Sequence, residues 1–365
     1  MLWASNATAA TAGSGQTCGS AALSGTLGAG YTTRYTFTHL GQIWQGPLNG
    51  GSTQEQYLYC STSHPHQITA LSPKSGSPTC SSTGTTDYTA SYDAYGNLTS
   101  RTYPATTTGA PVYNTQDQMV SWRGTTASSS QGEWYLYDST SNRVLRRSAS
   151  TGSSGNPATS ASTITVYAFG LEEHQYSYSG SGSSATNTNN TYYYSLNSKL
   201  LGTLSGISTL TTNFLLTDSV GSVVTTNSNT AGNSAVLGTQ VYGPYGNKRT
   251  SAGSMGTAKG FTGQYADDLT GFDYYVARYY DPVVARFLSA DTVQGNIQGM
   301  DPYDYVGGTR RRAMIPPGTV GPCVLCSSVP WLVPPWAQGL ISVRKCFRAT
   351  VWTGAKWANK LLWVR

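Results

Sequence analysis

The sequence contains few charged residues and few of the large residues that build helical cores. Only 10% of its 365 residues are Asp, Glu, Lys or Arg, and it has 7 Phe and 5 Met. Long amphipathic helices need a charged face opposite an apolar face, so this composition argues against a helical protein. The chain instead carries 26 Tyr and 41 Gly among many Ser, Thr and Asn. These residues favour short strands that are joined by turns.

Metal-ligand patterns and targeting segments are also scarce. Of the six cysteines, only Cys323 and Cys326 form a C-x-x-C pair, and none of the four histidines follows Asp304. A zinc site needs a second pair or histidines at ligand spacing, so we expect no metal and no cofactor. The N-terminus, MLWASNATAATAGSGQTC, has no basic region followed by an apolar run and is not a signal peptide. It fits an internal piece of a longer protein, and localisation is left unknown.

Acidic residues are absent from the end of the chain. All 26 Tyr and all 16 Asp and Glu lie at or before Tyr305, whereas residues 309–365 hold nine Lys and Arg and five of the nine Trp. Subtracting those nine from 22 leaves 13 basic against 16 acidic residues in the main body, a net charge of −3. A basic surface suggests a nucleic-acid or lipid partner, so that inference applies to the tail alone. No nucleic-acid partner is expected for the main body.

Tyrosine-rich segments recur along the main body at a spacing of roughly twenty residues. They are SYDAYGNLTSR (91–101), VYNTQDQMVSW (112–122), WYLYDSTSNRVLRRS (134–148), VYAFGLEEHQYSYS (166–179), NTYYYSLNSKLLGTLSG (190–206) and VYGPYGNKR (241–249). In the first segment, Tyr92 and Asp93 precede Gly96 and Asn97, a pair that takes positive φ in a tight turn. Each segment therefore predicts strand, turn and strand, with the Tyr-Asp step as a turn and not a catalytic pair. Stacked hairpins would bury the tyrosines in one continuous wall.

These segments closely resemble the YD repeats of the RHS family. Three further stretches resemble its repeat-associated core domain in the family's order: NFLLTDSVGSVVTT (213–226), KGFTGQYADDLTGFDYYVARYYDPVVARFLSADT (259–292) and DPYDYVGG (301–308). We therefore divide the chain into a Ser/Thr/Gly-rich region with divergent repeat strands (1–86), YD-repeat hairpins (87–212), the core domain (213–308) and a basic, Trp-rich tail (309–365).

The resemblance implies an all-β fold in which antiparallel hairpin repeats wind into part of a hollow shell, capped by the core domain, with an irregular tail. In bacterial members the shell holds a variable C-terminal polypeptide, often a toxin, and the core domain cleaves it just after an Asp-Pro-x-Gly motif. Animal relatives use similar shells for adhesion. The family thus suggests a secreted or cell-surface location, and a few hundred residues are too few to close a shell.

The chain changes character after Gly308, in DYVGGTRRRAMIPP (304–317). The family normally continues here with Asn-Pro and then Asp-Pro-x-Gly. One allowed set of codons for 308–319 gives Gly-Asn-Pro-Thr-Pro-Arg-Asn-Asp-Pro-Thr-Gly-His when a single base is restored after the Gly308 codon. Our hypothesis is that Thr309 begins the product of a one-base frameshift. The alternative is a genuine variable tail, although its Trp, Pro and Lys show no period of 2 or 3.6.

Candidate catalytic residues cluster at the end of the core domain. An aspartyl mechanism needs two carboxylates close enough to share a proton. Asp291, in FLSAD, matches the position of a family carboxylate implicated in self-cleavage, Asp304 is the candidate partner, and Arg286 is placed to orient or pair with them.

Two other acids, Asp281 and Asp301, precede prolines and are interpreted as turn starters. Ala285 stands where the family usually has Gly, and a required positive φ would cost Ala about 1 kcal/mol. Because the cleavage motif is missing, we do not expect an enzyme in this chain beyond residual aspartyl self-cleavage.

The sequence therefore predicts a structural β-shell fragment that encloses or presents a C-terminal polypeptide. Its expected partner is its own C-terminal extension or the remainder of an RHS shell. Two alternatives stay open. One is an aspartyl autoprotease that releases the C-terminal cargo, and the other is a cell-surface adhesion or glycan-binding module, suggested by exposed Tyr and by the animal relatives.

Overall fold

The computed structural model describes residues 2–5, 32–103, 108–125, 130–149, 161–180, 184–197, 199–229, 235–291 and 301–305. All of them belong to one compact unit, Met1–Val320. A second unit, Gly321–Arg365, lies outside the described residues. The predicted irregular tail and the frameshift junction at Thr309 also fall outside them.

The described chain is all-β, as predicted, and most of it forms one 19-stranded antiparallel sheet. The strands are β1 Leu2–Ser5, β2 Thr32–Phe37, β3 Ile43–Pro47, β4 Gln54–Leu58, β5 Ala70–Pro73, β6 Tyr88–Tyr92, β7 Leu98–Thr102, β8 Thr108–Tyr113, β9 Met119–Thr125, β10 Ser130–Tyr137, β11 Arg143–Ala149, β12 Ser162–Ala168, β13 Glu172–Tyr178, β14 Ala185–Leu196, β15 Lys199–Gly206, β16 Thr211–Thr217, β17 Val223–Ser228, β18 Val236–Tyr242 and β19 Lys248–Gly253. Each strand pairs with the next along the chain. The only helical elements among the described residues are three short 3-10 turns, at Leu48–Gly50, Lys74–Gly76 and Phe261–Gly263.

Six of the turns between these strands share one geometry. In the β6–β7 turn, the Asp93 N–H donates to Asn97 O at 2.9 Å and the Gly96 N–H donates to Asp93 O at 3.1 Å. Gly96 has φ of +89°, which a side chain would disfavour. The Asp93 carboxylate accepts hydrogen bonds from the backbone of Tyr95 and Asn97. The same two backbone bonds close the turns that begin at Thr38, Asn114, Asp138, Asp218 and Gly243. The prediction that Tyr-Asp starts a turn is confirmed for Asp93 and Asp138.

One face of the sheet buries tyrosine rings. Strand side chains alternate between the two faces, so one residue in two can point to a common core. Six buried tyrosines come from strands spread over the sheet: Tyr35, Tyr57, Tyr88, Tyr135, Tyr167 and Tyr193. Burying an aromatic side chain of this size contributes roughly 2–3 kcal/mol. The repeats therefore cohere because neighbouring hairpins cover each other's rings.

A second, four-stranded sheet packs on this tyrosine face. It consists of β20 Tyr265–Asp267, β21 Phe272–Tyr274, β22 Tyr279–Asp281 and β23 Arg286–Phe287. We call residues 261–291 and 301–305, which hold this sheet, the plug. Tyr135 and Tyr279 lie with their ring centroids 5.4 Å apart, and Tyr167 and Tyr265 at 4.9 Å. The wall and the plug thus share one core.

Buried ion pairs also join the wall to the plug. Arg101 of β7 donates to Asp281 at 2.6 Å, and Arg143 of β11 pairs with Asp267. The Arg143 guanidinium also lies 4.4 Å from the ring centroid of Tyr274. Removing one member of a buried pair leaves the other charge uncompensated, so these pairs fix the plug against the wall.

The long sheet curves until its early strands meet its last turn. The rings of Tyr35 in β2 and Tyr245 between β18 and β19 are 4.9 Å apart. Gly50, after β3, has φ of +65°, and a Cβ there would lie 1.9 Å from the Asn247 side chain. The Asn49 N–H donates to the Val283 carbonyl of the plug at 2.9 Å. The wall therefore bends around the plug by nearly a full turn at this level.

The predicted domain boundaries do not coincide with breaks in the sheet. Strands β2–β5, from the region 1–86, join the same sheet as the YD-repeat strands. The boundary expected at residue 213 falls within β16 (Thr211–Thr217), and β17–β19 continue the wall before the plug begins. The division into repeat and core domains stays a prediction.

Candidate functional site

Arg286 lies at the centre of a buried cluster of charged groups in the plug. It belongs to β23 and is 2% exposed. Its Nη2 atom donates to both carboxylate oxygens of Asp301, at 2.7 and 2.6 Å, and its Nη1 atom donates to Asp304 Oδ1 at 3.0 Å. Arg286 therefore pairs with Asp304, as predicted, and also with Asp301, while the catalytic roles of Arg286 and Asp304 stay predictions. One guanidinium thus holds two carboxylates side by side.

The backbone fixes both carboxylates through the short turn 301–305. The Tyr303 N–H donates to Asp301 Oδ1 at 3.0 Å, which is the turn-starting role predicted for Asp301. The Phe287 N–H donates to the Tyr303 carbonyl at 3.0 Å and ties the turn to β23. Asp301 therefore does two things, since the same side chain starts the turn and pairs with Arg286.

Burial and the neighbouring carboxylate change the protonation of the cluster. Burial, and then the charge and hydrogen bond of Asp301, raise the pKa of Asp304 to about 8, although Arg286 opposes the rise. Burial works against the charge of Arg286, but Tyr59, Asp301 and Asp304 raise its pKa above the ordinary value. Near neutral pH the favoured state therefore has a charged Arg286 and a protonated Asp304. A proton shared between two carboxyl groups is what acid–base chemistry by aspartates requires.

A loop from the other end of the chain covers the cluster. The carbonyl of His66 accepts from Arg286 Nη2 at 2.9 Å, and Tyr59 Oη lies 3.4 Å from Arg286 Nη1. Gln67 Nε2 donates to the Tyr303 hydroxyl at 3.2 Å. These residues lie in the loop between β4 and β5, more than two hundred positions before Arg286.

An open cleft of about 230 Å³ adjoins the covered cluster. Its lining includes His64, His66, Tyr95, Pro302 and Tyr303. Most of its exposed surface is apolar.

Asp291 lies near the cluster but pairs with a different arginine. Its Oδ2 accepts from Arg278 Nη2 at 3.0 Å, and its backbone N–H donates to the Pro302 carbonyl at 2.9 Å. The structure thus brings Asp304 together with Asp301 on Arg286, and it brings Asp291 to the start of the same turn. Catalytic pairing of Asp291 with Asp304 stays a prediction.

Two further residues noted in the sequence have clear structural roles. Ala285 has φ of +61°, so the position does adopt the left-handed conformation that glycine favours. Asp281 accepts the Val283 N–H at 3.0 Å as a turn residue and also pairs with Arg101. The turn interpretation of Asp281 is confirmed, and its ion pair was not predicted.

Sequence reasoning missed Asp301 as a member of the site, and it missed Tyr59 and His66 altogether. The only available indication for Asp301 was its place three residues before Asp304, which puts both side chains on one turn. No pattern in the sequence connects Tyr59 or His66 to Arg286, because the curvature of the wall alone brings them together.

The described residues contain no group of three or more His, Cys, Asp or Glu side chains able to hold a metal ion. They also contain no helix with the length and apolar character needed to cross a membrane.

Comparisons with known proteins support the fold. No protein-family model matches this chain. It is 29% identical over 126 residues to salivary gland surface protein 1 of Aedes aegypti, an alignment covering 34% of this chain and 4% of that protein. Crystal structures of TcdB2-TccC3-TEV and TcdB2-TccC3-Cdc42 align over 79% of this chain and 13% of theirs, with TM-scores of 0.60 and 0.58 at 17% identity. The chain therefore spans a small part of the proteins that it resembles, and its β-shell fold is similar to that of the TcdB2-TccC3 structures.

Proposed function

We propose that this chain is a section of an RHS-type β-shell whose tyrosine-lined wall and plug enclose a C-terminal polypeptide. The observation that carries the proposal is the continuous 19-stranded wall that bends around the plug. The fold likeness to the TcdB2-TccC3 structures supports the β-shell part of this proposal, and the proposed cargo is the polypeptide that follows the plug.

Enclosure predicts that the tail is protected from proteases while the wall is folded. Trypsin should cut at Arg310, Arg311 and Arg312 at least about tenfold more slowly in the native protein than after urea unfolding, because cleavage would need local opening. Equal rates in the two states would contradict enclosure of this tail. The same assay on the protein expressed from a gene with one base restored at the Thr309 codon tests whether the wall protects the in-frame tail. Rapid cutting of both tails would refute the proposal.

We propose residual aspartyl self-processing as a second candidate function. The observation that favours it is the Asp301–Asp304 pair on Arg286, with the pKa of Asp304 raised to about 8. In this proposal the protonated member acts as acid and the ionised member as base, with Asp291 as the alternative base that the family resemblance implies. The adjoining cleft would receive the peptide to be cut.

Mass spectrometry of the purified chain separates the two candidates. Self-processing predicts a fragment that ends near residue 320, as the family's cleavage position implies, and its loss in Asp304→Asn. Asp268→Asn serves as the matched control, since Asp268 has a 92% exposed side chain remote from the cluster. A chain that stays at 38.7 kDa through long incubation would contradict self-processing and leave the structural role as the remaining candidate. Loss of the fragment in Asp291→Asn but not in Asp304→Asn would assign the chemistry to Asp291.

A further inference from the structure

A disulfide bond joins Cys60 to Cys80 beside the Arg286 cluster. The two Cα atoms are 5.3 Å apart, and the cysteines are separated by 20 positions in the sequence. Cys80 is exposed, next to a tight turn closed by hydrogen bonds between Thr79 and Ser82 at 3.0 and 3.1 Å. The bond is therefore open to attack by a thiol from solution, because access is a main determinant of thiol–disulfide exchange.

The Cys60 end of this bond lies in the loop that covers the cluster. Cys60 directly follows Tyr59, the first residue of the β4–β5 loop (59–69). From this loop, Tyr59 and the His66 carbonyl contact Arg286, while the His66 ring lies 3.7 Å from Asp301. The loop therefore touches the guanidinium from two of its positions. Any outward movement of the loop would uncover it.

Noncovalent contacts are the other restraints on the loop. They include hydrogen bonds from the Tyr59 hydroxyl to the Ile43 carbonyl at 2.9 Å and from Gln67 Nε2 to the Tyr303 hydroxyl at 3.2 Å. Gln42 Nε2 donates to the Pro65 carbonyl at 3.0 Å, and the Cys60 N–H donates to Thr69 Oγ1 at 3.3 Å. Residues 62–65, at the tip of the loop, are exposed. The disulfide is the only covalent cross-link among the described residues, and it ties the base of the loop to the β5–β6 connection. It can be broken without disturbing any strand pair.

We propose that the Cys60–Cys80 disulfide is a redox-controlled latch that holds loop 59–69 over Arg286 and so keeps the plug turn 301–305 closed. An external dithiol, such as a reduced protein dithiol, would open it. The dithiol transfers two electrons to the Cys60–Cys80 bond and forms its own S–S bond, and its two protons end on the new Cys60 and Cys80 thiols. The loop then loses its lateral tie, and water reaches the carboxylates.

The latch proposal rests on the proposed shell function and does not depend on self-processing. If the plug closes the shell, reduction loosens the plug at its last turn, and a polypeptide that follows residue 305 gains freedom to leave. A protein that folds under oxidising conditions would thus respond to a reducing compartment. The rest of the wall would stay intact, because its strands carry no disulfide among the described residues.

Hydrogen–deuterium exchange on the full chain tests the latch. The reporters are the amides of Phe287, Asp291 and Tyr303, which bond to or within the plug turn. Treatment with dithiothreitol should speed their exchange by about fivefold or more, as expected when a local opening becomes easier. The Tyr193 amide, which bonds to Leu171 far from the loop, is the internal control and should not change. Unchanged reporters, or an equal rise at Tyr193, would overturn the proposal.

A double variant, Cys60→Ser with Cys80→Ser, provides the matched control. Without any reductant, its reporter amides should exchange at the faster rate expected for the reduced native chain. Dithiothreitol should have no further effect on them. A further effect would trace the response to Cys18, Cys323, Cys326 or Cys346 and would refute the latch. If the variant does not fold, reoxidation of the reduced native chain takes its place. Recovery of slow exchange at Tyr303 on reoxidation is then required.

Discussion

The substitution Asp304→Asn should change how the stability of the protein depends on pH. In the folded protein the pKa of Asp304 is raised from 3.8 to about 8, first by burial and then by Asp301. An acid whose pKa is raised on folding binds more protons in the folded state than in the unfolded state between those two values. Its contribution to stability is therefore complete below about pH 4 and is lost as the pH rises to about 8, with the slope given by linkage.

The size of the loss follows from the shift. Each pKa unit corresponds to about 1.4 kcal/mol, so the rise from 3.8 to about 8 amounts to roughly 6 kcal/mol at most. The Asp304 side chain is only 8% exposed, so solvent screening reduces this value little. Because the surrounding structure can relax and admit water around the new charge, the free energy of unfolding is expected to fall by about 2–5 kcal/mol from this source.

Asparagine removes the titration and keeps the shape. Its amide N–H can donate to Asp301 as the protonated acid does, so Asp304→Asn should cost less than about 1 kcal/mol at pH 5. At pH 9, where the native protein holds two buried carboxylates on one arginine, the variant should be the more stable by about 2 kcal/mol or more. The free energy of unfolding of the variant, relative to that of the native protein, is therefore expected to increase steadily from pH 5 to pH 8.

Urea unfolding followed by tryptophan fluorescence at intervals from pH 5 to pH 9 measures these differences. Other buried groups titrate in the same range, among them Glu55, whose pKa burial raises to about 7, so the informative quantity is the difference between variant and native protein. Asp268→Asn, on the exposed carboxylate, should run parallel to the native curve. Parallel curves for Asp304→Asn as well would show that Asp304 is ionised throughout, and the shared-proton account of the cluster would be wrong.

Two further substitutions test the join between wall and plug. Arg143→Met should lower the free energy of unfolding by about 3 kcal/mol, because it leaves Asp267 buried with a weaker cationic environment. A loss under about 1 kcal/mol in urea unfolding would show that the Arg143–Asp267 pair does not hold the plug. Gly96→Ala should cost about 2 kcal/mol, because its φ is +89° and the added Cβ would lie 2.6 Å from the Tyr303 hydroxyl. Gly84→Ala is the control, with φ of +66° and open space around it, and equal losses at both glycines in thermal unfolding would mean that the Tyr303 contact is unimportant.

Local sequence carries most of the information about the wall. The turn at Asp93 needs only a carboxylate that accepts hydrogen bonds from nearby N–H groups and a glycine that tolerates positive φ. Both residues lie within five consecutive positions. At Ala285, where the family usually has Gly, the φ of +61° is the positive value that such a glycine would permit. Such features depend on neighbours in the chain, so a repeated motif predicts a repeated structure.

The site was only partly predictable. Arg286 and Asp304 were identified from the sequence, and they do form an ion pair at 3.0 Å. The role of Asp301 beside them was missed, because its turn-forming role already explained its presence. Its bidentate bond to Arg286 depends on how β23 lies against the turn 301–305, a relation that residue types do not encode.

The sequence by itself determined that this chain is built of antiparallel hairpins with tyrosines on one face, because alternation and turn chemistry act over a few residues. Tertiary structure alone decided that Cys60 pairs with Cys80 and that His66 covers Arg286. Six cysteines allow fifteen complete pairings, and residues 220 positions apart meet only after the wall has curved. That curvature is a sum of small twists between many strand pairs, so no single segment specifies which distant residues it brings together.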